Sequence, residues 1–209
     1  MPSTTESVCT AQKPHVIVTG FGPFGNHKIN ASSEAVKHLK KEGLQNDKVQ
    51  LVTLELPVEY EAVKKKIPHL WREYNPVLVV HVGVSGIATE ITLEQQAHND
   101  GYDKPDVQGK CPDTHCCVEE KDQCCLLVSG INMNQVCKRV NDAGTVKACV
   151  SDDAGRYLCD FAYFTSLNMD HCKSAFIHVP PLDAPYSAAQ LASGLRVAIN
   201  AMLEQSMQH

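Results

Sequence analysis

Two residues of this sequence, Cys159 and His178, have the types and positions that nucleophilic catalysis requires. An apolar stretch ends in the small residues of 151–155, and an aromatic-rich segment with helical spacing begins close to Cys159. This pattern predicts that Cys159 lies in the first turn of a helix that leaves a strand. The partial positive charge and free N–H groups of a helix N-terminus favour a thiolate, and the same N–H groups could stabilise an oxyanion.

His178 is the candidate base, at the end of a short apolar run that predicts a strand. A cysteine nucleophile needs a group that holds the thiolate and later protonates a leaving amine, and imidazole suits both tasks near neutral pH. Either residue alone has a structural explanation, since buried cysteines usually pack as small hydrophobes. Glu94 could orient the imidazole or a substrate amide, or it could be a solvated carboxylate.

The elements that must position these residues alternate along the chain. Short apolar runs predict strands, and segments with helical periodicity separate most of them, beginning with a helix capped by Asn30 or Ser32. Parallel neighbours need such crossover connections, so we predict an α/β fold, a three-layer α/β/α sandwich with a mostly parallel central sheet. The predicted strands cover residues 15–19, 49–54, 77–82, 146–150 and 176–179.

Several chemically interesting residues fall where these strands are predicted to end. Reactive groups in parallel sheets collect at the carboxyl ends of the strands. Thr19, the segment 81–86 beginning with His81, the segment 151–159 and His178 are all placed in this way. We therefore expect them to share one edge of the sheet.

One segment does not follow the alternation. Residues 98–125 are rich in Cys, Asp, Lys and Gly and show neither helical nor strand periodicity. Such a length is unusual for a plain connection, which indicates a functional flap or an irregular hairpin. We predict a flexible N-terminal extension over 1–14 and a single domain over 15–205 that contains this Cys-rich insertion.

Composition limits the partners and the compartment. The net charge of −5 gives no basic face for nucleic acid or a membrane surface. The N-terminus lacks the pattern of a signal peptide, and no apolar run reaches membrane-spanning length. We expect a cytosolic protein, a monomer or weak homo-oligomer, whose partners are small molecules and whose ten cysteines are reduced thiols.

The loop after the first strand contains a second possible function. Residues 20–25 match the G-x-G-x-x-G pattern of dinucleotide-binding proteins, and Glu55 could serve as the acidic ribose partner. In that motif the helix opens within the glycine loop, whereas here Pro23 occupies the loop and the helix begins only near Asn30. Phe21 and Phe24 suit an apolar wall better, either of the core or of a small-ligand pocket.

A cluster in the Cys-rich insertion suggests a metal site. Zinc sites usually pair their ligands with a short spacing, and two adjacent cysteines cannot easily reach one ion. We therefore expect no metal, and packed or solvent-facing thiols instead. The cluster consists of Cys111, His115, Cys116 and Cys117.

Five ordered motifs resemble one family, the cytosolic pyroglutamyl-peptidase I cysteine peptidases, which remove an N-terminal 5-oxoproline. The resemblance runs from about residue 15 to residue 204. Its motifs are TGFGPFG at 19–25, LPVEY at 56–60, VHVGVSG at 80–86, AGRYLCD at 154–160 and FIHVP at 176–180.

The resemblance implies a role for each candidate residue. Cys159 would be the nucleophile, His178 the base and Glu94 the acidic third member. The lactam ring has no charged amine, so apolar walls and a few backbone hydrogen bonds would bind it. Two phenylalanines would sandwich the ring, and three further residues would close the pocket. These substrate-binding residues are Phe21, Phe24, Val58, Tyr157 and Leu158.

The family implies a reduced thiol and no cofactor, with small pyroglutamyl peptides as substrates. Two other functions stay open on the sequence. One is a related protein that binds pyroglutamyl peptides with little or no catalysis, against which the intact Cys159, His178 and Glu94 argue. The other is a dinucleotide-dependent oxidoreductase.

Overall fold

The computed structural model describes residues 13–25, 29–118 and 125–208. Residues 1–12 of the predicted extension and 119–124 of the Cys-rich insertion lie outside the described residues. The helices are α1 (Ala31–Glu42), α2 (Tyr60–Tyr74), α3 (Met133–Ala143), α4 (Leu158–Leu167) and α5 (Ala188–Ser206). The strands are β1 (His15–Phe21), β2 (Gln50–Leu56), β3 (Leu78–Val84), β4 (Ile91–Glu94), β5 (Gln96–His98), β6 (Leu126–Val128), β7 (Ala148–Ser151) and β8 (Ser174–Val179).

The larger sheet of the described chain has six strands in the order β2-β1-β3-β8-β4-β7. β2, β1, β3 and β8 are parallel to one another. Helices cover both faces: the core on one side packs α1, α3 and α5, and the core on the other side packs α2 and α4. The predicted three-layer α/β/α fold with a mostly parallel sheet is confirmed.

Alternation along the central strands explains the two cores. In β1, Val16 and Val18 belong to the core under α1, α3 and α5, whereas Ile17 between them belongs to a cluster on the opposite face. Successive side chains of a strand point to opposite faces, and a central strand must therefore be apolar throughout. Of the two predicted caps of α1, Asn30 is the N-cap and Ser32 lies inside the helix; the Asn30 side chain accepts a hydrogen bond from the Ser32 backbone N–H.

Two strands run opposite to the other four strands of the sheet. β4 pairs antiparallel with β8 and parallel with β7, so β4 and β7 oppose the other four strands. β4 is also a strand that the sequence analysis did not predict. The expectation that 151–159 begins at the shared carboxyl edge is therefore wrong. Ser151 lies level with Glu94, in a row that continues to Phe176 in the interior of β8.

The Cys-rich insertion begins and ends at a small antiparallel ladder. β5 pairs with β6, and Ala97 lies opposite Leu127. The insertion is partly packed, because Tyr102 and Cys117 are buried in the core with α2 and α4. None of the described helices is long and apolar enough to cross a lipid bilayer.

One glycine of α5 makes a close approach to the sheet that can be tested. A Cβ added at Gly194 would lie 2.4 Å from Val146 Cγ2 and 2.8 Å from Ile91 Cδ1. Gly194→Ala should therefore destabilise the fold by about 1–3 kcal/mol through overpacking, and lower Tm by roughly 3–10 °C. Ser193→Ala, at the partly exposed neighbouring position, is the control and should leave Tm within about 2 °C by calorimetry. An unchanged Tm in Gly194→Ala would contradict the packing of α5 on β4.

Candidate active site

The eight candidate catalytic and substrate-binding residues all line one cavity of about 630 Å³. The cavity lies at the carboxyl ends of β1, β3 and β8. Its lining includes the candidate nucleophile, base and acid together with the five apolar candidates. These residues are Cys159, His178, Glu94, Phe21, Phe24, Val58, Tyr157 and Leu158.

Cys159 occupies the first turn of α4, as predicted. The helix begins at Leu158, and Tyr157 at its N-cap supplies no side-chain hydrogen bond to the first N–H groups. Those groups lack the capping partner that a Ser, Thr, Asp or Asn would supply, and they remain available to a ligand. The segment 152–157 returns the chain from β7 to this point.

The sulfur of Cys159 rests against the sheet at Gly83. A Cβ built on Gly83 would lie 2.8 Å from Cys159 Sγ and 2.9 Å from Phe176 Cζ. Gly83 is paired with His178 in the parallel ladder of β3 and β8. The absence of a side chain at Gly83 thus leaves room for the sulfur beside the imidazole, where it raises the pKa of His178.

Glu94 is hydrogen-bonded to the Nδ1 side of the His178 imidazole. His178 Nδ1 and Glu94 Oε1 are 2.7 Å apart, and the two residues are 7% and 2% exposed. The antiparallel pairing of β4 with β8, with Thr92 opposite His178, places Glu94 within reach. Because Nδ1 is engaged, Nε2 is the nitrogen available to the sulfur.

The two neighbours change the acidity of His178. Burial alone lowers the pKa of His178, but the charge and hydrogen bond of Cys159 and the hydrogen bond and charge of Glu94 outweigh burial and raise it to about 10. The imidazolium is therefore the favoured form at neutral pH. An imidazolium next to a cysteine sulfur stabilises the thiolate, which is the nucleophilic form.

The other end of the cavity is apolar. Phe21 ends β1 and packs toward Phe176 with ring centroids 6.5 Å apart. Val58 and Leu158 are buried, while Phe24 and Tyr157 are half-buried. The five predicted apolar residues thus face the same space as Cys159, and a flat, uncharged ring of a few atoms is the kind of ligand such walls accept.

The Cys-rich insertion braces this apolar end. Lys104 Nζ lies 4.5 Å from the centre of the Tyr157 ring, and the Tyr157 hydroxyl donates a hydrogen bond to Pro105 O. Asp106 accepts a hydrogen bond from the Tyr60 N–H at the start of α2. The insertion therefore fixes both Tyr157 and the first turn of α2.

Asp160, next to the candidate nucleophile, ties the insertion to α4. Its carboxyl group is fully buried and accepts hydrogen bonds from the His98 N–H and the Tyr102 hydroxyl. Burial raises the pKa of Asp160 to about 7, against the opposing effects of these bonds and of Arg156. This contact helps to set the position of the helix start that carries Cys159.

His81 lies in the interior of β3, so the expectation that it lies at a strand end is wrong, and it does not line the cavity. It is in the middle of β3, fully buried, with Nδ1 2.7 Å from Thr19 Oγ1. Burial lowers the pKa of His81 to about 3, and the ring therefore stays neutral. Thr19 is likewise buried beneath the site, so this pair supports the sheet.

The cavity lining also contains residues that the sequence analysis did not select, among them Lys104, Ile87, Glu90 and Thr92. Lys104 belongs to the insertion, and Ile87 is 94% exposed between β3 and β4. Thr92 shares one side of β4 with Glu94, and Glu90 immediately precedes that strand. The alternation of polar and apolar residues from 90 to 94 is typical of a half-buried strand, and this pattern could have revealed Glu90 and Thr92. Lys104 and Ile87 have no comparable local signal.

The residues that match the dinucleotide-binding pattern, and Glu55, make structural contacts with α1. Gly20 packs against the first turn of α1, where an added Cβ would lie 3.0 Å from Ser32 O. The carboxylate of Glu55, the possible ribose partner, accepts a hydrogen bond from the Ser33 hydroxyl. These contacts fasten α1 to the sheet and place Phe21 at the cavity.

The predicted thiols of the insertion make separate contacts. Cys117 Sγ is buried 3.1 Å from Thr165 Oγ1, whereas the Cys111 thiol donates a hydrogen bond to Asp103 O. His115 pairs with the Asp103 carboxylate. In the described part of the chain, no group of three or more His, Cys, Asp or Glu residues could hold a metal ion.

A thiol beside an imidazole that is itself hydrogen-bonded to a carboxylate, all in one cavity, is the arrangement of a cysteine hydrolase. The sequence profile of the pyroglutamyl peptidase family matches residues 14–204. The chain is 53% identical over 190 residues to human pyroglutamyl-peptidase 1, covering 90% of each chain. It is 32% identical to the pyrrolidone-carboxylate peptidase of Thermococcus kodakarensis, covering 90% of this chain and 96% of that one. The chain belongs to the pyroglutamyl peptidase family.

The solved structures agree with this assignment. A variant of pyrrolidone carboxyl peptidase from Pyrococcus furiosus matches this structure with a TM-score of 0.81 and 26% sequence identity. The match covers 92% of this chain and 99% of that chain. The three-layer architecture is therefore shared over nearly the whole of both proteins.

The close approach of Cys159 to Gly83 can be tested without assaying turnover. Gly83→Ala should displace the sulfur from His178, lower Tm, and slow alkylation of Cys159 by iodoacetamide about tenfold or more, because thiolate reactivity depends on the adjacent cation. Mass spectrometry locates the label among the other cysteines. Gly86→Ala, which meets no atom within 4 Å, should keep the wild-type Tm. Undiminished labelling in Gly83→Ala would rule out the role given to Gly83.

Proposed function

We propose that this protein is a cysteine exopeptidase that hydrolyses the bond after an N-terminal pyroglutamyl residue, with Cys159 as nucleophile, His178 as acid and base, and Glu94 as the residue that orients His178. The observation that carries the proposal is the hydrogen bond between His178 and Glu94 with Cys159 beside them in one cavity that has an apolar end, in a chain of the pyroglutamyl peptidase family. The names of the relatives support the same substrate.

Acylation begins with attack of the Cys159 thiolate on the carbonyl carbon of the pyroglutamyl residue. The tetrahedral intermediate then collapses, the C–N bond breaks, and His178 gives its Nε2 proton to the departing amine. A thioester to Cys159 remains. The imidazolium that the neighbouring anionic groups favour is the form that this step requires.

Deacylation reverses the proton path. Water enters the position that the amine has left, and neutral His178 accepts a proton from it as it attacks the thioester. The C–S bond breaks, free pyroglutamate departs, and the thiolate next to the imidazolium is restored. Glu94 keeps Nδ1 engaged throughout, so that the tautomer and orientation of the ring stay fixed.

The uncapped start of α4 supplies the oxyanion site. The N–H groups of its first turn have no side-chain cap at Tyr157. A negative charge that develops on the carbonyl oxygen beside Cys159 can accept hydrogen bonds from these groups, and the dipole of the helix adds to them. A pre-existing donor set of this kind commonly contributes about 10²–10³ in kcat.

The apolar end explains why a lactam is accepted at the amino terminus. Phe21, Phe24 and Val58 offer no carboxylate to an α-ammonium group, and Lys104 lies on the same side over Tyr157. A cation near an ordinary N-terminus repels it, whereas the lactam is uncharged and flat. The cavity therefore favours pyroglutamyl over free amino-terminal peptides.

The surroundings of the reaction follow from the same proposal. Its steps use side chains and water, so the enzyme needs a reduced thiol and no cofactor or metal. We place it in the cytosol as a monomer or weak homo-oligomer whose partners are small pyroglutamyl peptides. The peptidase domain spans 15–205, which the family match over 14–204 supports.

Hydrolysis of a fluorogenic pyroglutamyl amide by reduced protein tests the activity. Cys159→Ala should lower kcat by at least about 1,000-fold, because it removes the nucleophile. Cys137→Ala, in α3 outside the cavity, should retain activity and remain sensitive to iodoacetamide. A folded, reduced wild type without hydrolysis, or an active Cys159→Ala, would overturn the proposal in favour of a binding protein.

The pH profile tests the role of Glu94. The carboxylate raises the pKa of His178, and the imidazolium is needed to protonate the leaving amine. In Glu94→Gln the pKa of His178 falls, so the alkaline limb of kcat/KM should move to lower pH and the maximum should drop roughly 10- to 1,000-fold. Glu94→Asp keeps the charge and should keep the limb closer to that of the wild type. An unmoved alkaline limb in Glu94→Gln would show that Glu94 does not act through His178.

A further inference from the structure

The sheet order fixes the side of the cavity on which the leaving peptide lies. Phe21 is on β1, and the strands then follow as β3 with Gly83, β8 with His178, β4 with Thr92 and β7 with Cys149. Under the proposed function the lactam lies toward Phe21, and the amine that leaves is next to His178. The residue after pyroglutamate must therefore lie beyond His178, over β4 and β7.

β4 and the residue immediately before it supply the polar groups there. Glu90, Thr92 and Glu94 alternate along the chain, and all three line the cavity. Thr92 and Glu94 are two apart on β4, so they point to the same face and are roughly 7 Å apart, and Glu90 immediately precedes the strand. Thr92 lies opposite His178, so Glu94 is on the inner side of the imidazole and Glu90 is on the outer side, at the cavity mouth.

Glu90 differs from the other carboxylates of the cavity. Glu94 is engaged by His178, and Asp153 forms a 2.6 Å ion pair with Arg156. In the described residues no cation pairs with Glu90, whose carboxylate is close enough to raise the pKa of Cys149; the Cys149 thiol donates a hydrogen bond to Thr92 Oγ1 at 3.7 Å. Burial and, to a smaller extent, Glu90 raise the pKa of Cys149, which keeps the thiol protonated as a donor.

The charge of the cavity is therefore uneven. The cation of Lys104 lies at the lactam end, over Tyr157. The half-exposed carboxylate of Glu90 lines the same cavity on the side of β4, where the proposed function places the next residue of a substrate. An ammonium or guanidinium group there would gain a partner, and a carboxylate would meet a like charge.

We propose that Glu90 is a specificity-determining residue that favours pyroglutamyl peptides with a basic residue after pyroglutamate and disfavours those with an acidic one. This inference rests on the proposed function. A partly exposed ion pair is worth only a modest factor, so the preference of Lys over an uncharged residue of similar length should be about two- to fivefold in kcat/KM. The penalty for Glu should be of similar size.

The test compares kcat/KM for pyroglutamyl-Lys-amide, pyroglutamyl-Met-amide and pyroglutamyl-Glu-amide, with the fluorogenic amide as the reference substrate. The wild type should follow the order Lys, Met, Glu. Glu90→Gln should bring the ratio of Lys to Glu close to one, and Glu90→Lys should invert it. The ratio is taken within each variant, so a general change in activity or folding cancels.

The Lys-to-Glu ratio of kcat/KM should not change in a control variant that lacks a surface carboxylate, and it should depend on the salt concentration. Glu204→Gln removes a carboxylate that pairs with Arg139 on the surface, away from the cavity, and should leave the ratio at its wild-type value. Raising the salt concentration should shrink the wild-type ratio, because exposed charges are screened. A ratio that Glu90→Gln leaves unchanged overturns the role of Glu90 while the peptidase stands. Failure of the wild type to cleave the reference amide overturns the proposed function and this inference with it.

Discussion

The site depends on the buried hydrogen bond between Glu94 and His178. A carboxylate that is 2% exposed is costly to bury, and a charged imidazole 2.7 Å away offsets that cost. Glu94 reaches His178 only because β4 enters the sheet antiparallel to β8. The strand reversal that interrupts an otherwise parallel sheet is therefore a structural requirement of the site, and β7 follows β4 in the same direction.

A second constraint is the close approach of α4 to the sheet. Gly83 leaves room for the Cys159 sulfur, and Asp160 in the same turn is held by His98 and Tyr102 from the irregular segment. The insertion reaches the cavity again through Lys104 against Tyr157. A stretch without periodicity of its own thus positions both the nucleophile and the wall of the apolar pocket, which accounts for its length in an otherwise compact alternation of strands and helices.

The sequence predicted what depends on local pattern and missed what depends on pairing. The first turn of α4 around Cys159 and the cap at Asn30 follow from local physics, and both are present. The direction of β4 is set by the strands with which it pairs, and no local sequence pattern indicates that pairing. Glu94 could therefore be selected from the sequence, but its hydrogen bond to His178 could not be predicted. His81 was misplaced because an apolar strand with one histidine does not show where the strand ends.

The shifted pKa values of three buried groups, His178, His81 and Asp160, make the stability of the fold depend on pH. The pKa of His178 is raised, so its contribution to stability is fully present below its unfolded value near 6.5 and is lost as pH rises through about 10. His81 has a lowered pKa, so stability falls as pH drops below about 6.5 and the unfolded chain takes up a proton that the folded chain refuses. Burial of Asp160 raises its pKa to about 7, so its contribution weakens the fold as pH rises from the unfolded value of 3.8 through about 7. Because these effects on stability have opposite signs, the fold tolerates a near-neutral pH range. In that range His81 is neutral, while His178 beside Cys159 carries the proton that the leaving amine needs.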